Sequence, residues 1–246
     1  MEQNNAEAGC GNVDTACTND APGAPCRRRT GVRRAQTQSE FAETLRRARA
    51  VDPGLAHLLC LIRLLGLRPV EALRCVRELA DWLVLLRIGV QYLRLPRGVG
   101  TSRPRRIEII DPLREDTIRA IEAALEHCET HDGKLIAGAD HKTQRNRLRA
   151  LLQSARISGE LSSQSLRHAY AVSLSNALMD AGASPEQARE RVFASVGQGL
   201  RAHMFLDTYL REIGERSHEV PRAPGAAGTG SVREEPFDWG VILFTR

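Results

Sequence analysis

The sequence predicts a mainly α fold with a small β-hairpin, an α+β domain, and three patterns carry that prediction. Apolar residues recur at helical spacing through the middle of the chain, most clearly Leu166, Tyr170, Leu174, Ala177, Leu178 and Ala181. Helix punctuation follows them. Gly182 suits a left-handed stop, Ser184 and Pro185 start another helix, and Gly197 ends it after Val196. Strand formers concentrate in residues 82–95 and 105–110, with Pro- and Gly-rich turn chemistry between them.

Taken in order, residues 1–38 are rich in Asn, Gly, Ala, Thr and Pro and carry the basic runs Arg27-Arg28-Arg29 and Arg33-Arg34. They show no periodicity and read as a disordered basic tail. A first helix runs from Ser39 through Phe41 and Leu45 and breaks at Asp52-Pro53-Gly54. Residues 55–65 (LAHLLCLIRLL) are apolar nearly all round, as a central buried helix should be. Gly66 ends that helix, and Pro69 opens the next, which carries Glu71, Leu73, Val76 and Leu79. Residues 82–95 predict a first strand and 105–110 a second. Asp111-Pro112 opens a helix to about His127, and residues 141–155 form a strongly basic helix with Lys142, Arg145, Arg147 and Arg149. A short helix over 204–213 carries Tyr209. Residues 214–246 are a Pro- and Gly-rich linker followed by the apolar segment 237–244.

At 246 residues and 42% hydrophobic, the chain can bury one substantial core with tails around it. Its net charge is +5, and of 35 basic residues only Lys134 and Lys142 are lysines. Arginine suits planar, bidentate contact with phosphates, although an arginine-rich genome gives the same bias. The six cysteines show neither a disulfide framework nor zinc-ligand spacing, so no metal is expected. No apolar run reaches membrane-spanning length.

Two boxes carry a family resemblance. Gly66-Leu67-Arg68-Pro69-Val70-Glu71 matches a Gly-x-Arg-x-x-Glu pattern, and Leu166-Arg167-His168-Ala169-Tyr170-Ala171 follows about a hundred residues later. With the Val196-Gly197-Gln198 turn and Tyr209, the region from Thr37 to Ile213 resembles the catalytic domain of the tyrosine recombinases (phage integrases). Two departures stand out. Gln164 and Gln198 occupy the positions of the family's two motif histidines, and the run from Gln198 to Tyr209 is two residues longer than usual.

The resemblance implies a domain over 39–213 that exchanges a DNA phosphodiester for a phosphotyrosine bond. Tyr209 would be the nucleophile, and Arg68 and Arg167 would hold the phosphate. The family's hairpin lysine has no counterpart, and Arg103, Arg105 or Arg106 is the nearest stand-in. Gln164 and Gln198 can donate hydrogen bonds but cannot titrate, which leaves His203 as the one titratable group near the replaced histidine. His168 reads as a buried neighbour, and so does Tyr170. Lys142, Arg145 and Arg149 offer a second DNA-facing surface, or simply a solvated helix face. The implied partner is double-stranded DNA, and the apolar C-terminal segment either packs back on its own domain or joins a neighbouring copy in a homo-oligomer on DNA. No cofactor is implied, and the compartment expected is a bacterial-type cytoplasm. Three functional readings follow: DNA integration by a mobile element's recombinase, a degenerate DNA-binding relic of such an enzyme, and an unrelated helical interaction domain.

Overall fold

Local chemistry sets most of the helix ends. The computed structural model describes residues 34–96 and 104–197. Helix α1 (Gln38–Val51) starts where the Thr37 hydroxyl accepts from Glu40 N while the Glu40 carboxylate accepts from Thr37 N. Asp52 then caps α2 (Pro53–Leu65) by accepting from Leu55 N, with Pro53 in the first turn. Gly66 closes α2 at φ 60°, a left-handed conformation that a side chain resists.

Helix α2 is the axis of the core. Leu55, Leu58, Leu59, Leu61, Ile62 and Leu65 along it are fully buried, each contributing about 1.5–3 kcal/mol of hydrophobic stabilisation. Around it pack α1, α3 (Pro69–Arg74), α5 (Arg114–Glu129), α6 (His141–Ser154) and α7 (Ser163–Asp180). Helix α7 buries Leu166, Tyr170, Leu174 and Leu178 as its spacing predicts, whereas Ala181 is the exposed residue that ends it. Ser184 and Gln187 form a capping box for α8 (Pro185–Val196), which Gly197 ends at φ 63°.

Residues 82–95 are not one strand. A 3₁₀ turn at Cys75–Glu78 leads into helix α4 (Leu79–Arg87), and only Tyr92–Leu95 forms strand β1. The β-formers there are overruled by the period of the burial: Leu79, Trp82 and Leu86 are buried, whereas Val84 and Ile88 face solvent. Strand β1 pairs antiparallel with β2 (Arg105–Glu108), setting Leu93 opposite Ile107 and Leu95 opposite Arg105. The turn at Asp111–Leu113 precedes α5, and Asp140 caps α6.

The chain before α1 is held. Arg34 pairs with Glu40 and with Glu160 at 3.0 Å, and Gln36 N donates to Ser165 O. This ties residues 34–36 to the start of α7. The rest of the expected basic tail, the 204–213 helix and residues 214–246 lie outside the described residues. Among those described, no helix is long and apolar enough to cross a membrane. The described residues also contain no His, Cys, Asp and Glu cluster that could hold a metal.

A histidine stack lies against the core. The His57 ring on α2 is 5.2 Å from His127 on α5, and His127 stacks at 3.9 Å on His131. Burial first, then the His127 and Arg49 charges, push the His57 pKa down to about 4. The unfolded chain therefore takes up this proton at a higher pH than the folded chain. Stability that is full above about pH 6.5 should fall as the pH drops towards 4, by on the order of 2 kcal/mol. Urea midpoints between about pH 7 and pH 4 test this, and His57→Phe should flatten the curve.

Candidate functional site

The site begins where α2 stops. Gly66 turns the chain and Leu67 buries itself. Arg68 stands in extended conformation (φ −76°, ψ 152°) immediately before Pro69, the first residue of α3. The Glu71 carboxylate reaches back to accept from Arg68 N at 2.7 Å. Glu71 is fully buried, and its other oxygen lies 3.6 Å from Arg68 Nη1.

Two more arginines arrive from distant elements. Arg105, the first residue of β2, donates from Nη2 to Glu71 Oε2 at 2.6 Å and to Gly66 O at 3.3 Å. Arg167, on the first turns of α7, donates from Nε to the same Gly66 O at 2.9 Å. All three guanidinium groups also bond the end of α8. Ser195 O accepts from Arg105 Nη1, Val196 O from Arg167 Nη2, and Gly197 O from Arg68 Nη2 at 2.9 Å. These consecutive carbonyls are the negative end of the helix dipole, so each cation there is doubly favoured.

The three differ sharply in exposure. Arg167 is 5% exposed and Arg105 8%, whereas the Arg68 side chain is 37% exposed. Burial, followed by the charges of Arg105 and Arg68, pushes the Arg167 pKa down to about 10. A cluster of three guanidinium groups around one carboxylate carries excess positive charge, and a bound anion would relieve it.

The surrounding side chains lock this frame. Tyr170 is fully buried; its hydroxyl donates to Glu108 O at 2.8 Å and lies 2.6 Å from Ser195 Oγ. Ser195 Oγ in turn accepts from Glu108 N at 3.0 Å. Burial raises the Tyr170 pKa, so its hydroxyl stays protonated and Tyr170 is a core residue. His168 is buried and accepts from the exposed Gln164 Nε2 at 3.0 Å.

The expected residues thus separate into groups. Arg68 and Arg167 come together. Arg105 joins them from inside instead of standing on the surface with Arg106. Arg106 is exposed and lies over the Tyr92 ring at 3.7 Å. The strand period explains the difference, because Arg105 shares a face with the buried Ile107 and Arg106 takes the other. Lys142, Arg145 and Arg149 stand exposed along α6. Arg103, Gln198, His203 and Tyr209 lie outside the described residues.

Sequence reasoning missed Ser195 and the accepting role of the α8 carbonyls. Only the Val196-Gly197 helix stop pointed to that end of the helix. A family model described as Integrase matches residues 24–173, more than half of the chain. The matched region includes Arg68, Glu71, Arg105 and Arg167. No curated protein and no solved structure matches the chain.

Proposed function

This chain belongs to the integrase (tyrosine recombinase) family, and from that premise we propose that it cleaves and rejoins duplex DNA through a 3'-phosphotyrosine intermediate on Tyr209. The carrying observation is the convergence of Arg68 and Arg167 on adjacent carbonyls, Gly197 O and Val196 O. Two guanidinium groups so placed suit the non-bridging oxygens of one phosphate, where negative charge grows as the phosphorus becomes five-coordinate. Arg68 is the accessible one of the pair, and Arg167 is pre-set behind it.

The reaction exchanges one bond for another. The Tyr209 oxygen attacks phosphorus and loses its proton, while the bond to the 5' oxygen breaks and that oxygen gains one. Gln164 and Gln198 donate hydrogen bonds but move no proton, so His203 takes the Tyr209 proton and, as the imidazolium, gives one to the leaving 5' oxygen. Residues 39–213 form the catalytic domain in this reading. Arg103, Arg106, Lys142, Arg145 and Arg149 contact the DNA backbone, and the 214–246 tail joins copies of the chain on DNA. The enzyme serves a mobile element and works in the cytoplasm.

Gln164 carries the second reading. Its amide is already bonded to His168, and no titratable side chain occupies that position. A protein that binds DNA without cutting it fits this replacement. Covalent trapping on a suicide duplex separates the two. Wild type is expected to accumulate a slow Tyr209–DNA adduct, with His203→Ala lowering its rate by about two orders of magnitude or more. A silent wild type revived by Gln198→His would mark a decayed site, and no adduct in any variant would leave the binding protein.

A further inference from the structure

We infer that Arg105 is a positioning residue: held inside the domain, it orients Arg68 and Arg167 so that both present donors to one DNA phosphate. The inference rests on the DNA-binding part of the proposal above. Arg105 is the arginine whose charge is matched inside the domain: it pairs with Glu71 at 2.6 Å, against 3.6 Å for Arg68. Its Nη1 and Nη2 are committed to Ser195 O, Glu71 Oε2 and Gly66 O.

Two of those acceptors also bond one of the other two arginines, and the third adjoins the carbonyls that hold both. Glu71 Oε2 accepts from the Arg68 backbone N–H, so the carboxylate that Arg105 anchors fixes where Arg68 leaves the chain. Gly66 O is shared between Arg105 and Arg167 Nε. Ser195 O precedes the two carbonyls that hold Arg167 and Arg68. Arg105 also packs closely against that backbone: a Cβ on Gly197 would lie 2.7 Å from its Cδ.

The geometry demands a guanidinium. One planar fork spans three acceptors from three segments, which a lysine ammonium on a flexible stem cannot do. Glu71 Oε1 is buried without a hydrogen bond and lies 3.6 Å from Arg68 Nη1. A small movement of Arg68 on meeting a phosphate would close that gap while Arg105 keeps the carboxylate still.

The test measures duplex binding against salt for wild type and Arg105→Lys, at a temperature where circular dichroism shows both folded. Each phosphate contact contributes about 0.9 to the slope of log K on log salt. Arg105→Lys keeps the formal charge, yet its slope should be shallower by about one, because the phosphate that Arg68 and Arg167 hold together is no longer gripped. An unchanged slope overturns the inference and leaves the DNA-binding reading intact. Wild-type binding that is absent or independent of salt overturns that reading, and the inference with it.

Arginine side-chain NMR of the wild type with added duplex gives an answer that does not depend on the variant folding. The Nε–H signals of Arg68 and Arg167 should move and that of Arg105 should stay. Arg105 Nε has no hydrogen-bond partner, so its signal would report a phosphate directly. A shift as large as that of Arg68 would make Arg105 a direct contact and overturn the inference.

Discussion

Replacing Glu71 with alanine should destabilise the domain by about 3–5 kcal/mol, the range for removing one partner of a buried ion pair. Glu71 is fully buried and is the only carboxylate paired with Arg105 among the described residues. Without it, the Arg105 guanidinium stays buried beside the Arg167 guanidinium, with only the carbonyls of Ser195 and Gly66 to accept from it. Dipoles do not replace a counter-charge at that depth. Glu71→Gln keeps the shape and one acceptor, so its cost should be smaller but still measurable. Urea unfolding followed by circular dichroism tests both variants, with unchanged m-values needed for the comparison. A loss below about 1 kcal/mol for Glu71→Ala would mean that water reaches Arg105, since that is the range of an exposed pair.

Gly66→Ala should cost about 2–4 kcal/mol, for two separate reasons. The left-handed backbone at φ 60° costs an alanine roughly 1 kcal/mol. The new methyl would also lie 2.3 Å from Tyr170 Cδ1, and overpacking a core typically costs about 1–3 kcal/mol. The Tyr170 ring cannot step aside cheaply, because it is fully buried and its hydroxyl is bonded to Glu108 O and Ser195 Oγ. Gly182→Ala isolates the backbone share, since Gly182 has φ 89° and nothing within 4 Å of the added carbon. A difference of about 2 kcal/mol between the two variants in urea unfolding is the expected result. On the proposed function, Gly66→Ala also weakens duplex binding, because Gly66 O holds both Arg105 and Arg167.

The helix ends were legible because their causes are local. Thr37 with Glu40, Asp52 with Pro53, and Ser184 with Pro185 and Gln187 each satisfy the first N–H groups of a helix within a few residues. Gly66 and Gly197 end helices for an equally local reason. The stretch at 82–87 reads as strand from sequence but is helix, because strand propensity and helical period compete there. Packing of Leu79, Trp82 and Leu86 against the core settles the contest in favour of the helix.

Sequence alone determined the order of the two motif boxes, the family they belong to, and the arginines that those boxes carry. It could also separate Arg105 from Arg106 in principle, since alternation along β2 assigns them opposite faces. Only the tertiary structure decided what Arg105 does with its inward face. Its carboxylate lies 34 residues away, the Arg167 contact with Gly66 spans 101, and the Arg68 contact with Gly197 spans 129. A guanidinium can be buried only where enough acceptors meet it. Here those acceptors are the end of α2, the first turn of α3 and the last turn of α8, and packing around α2 brings them together.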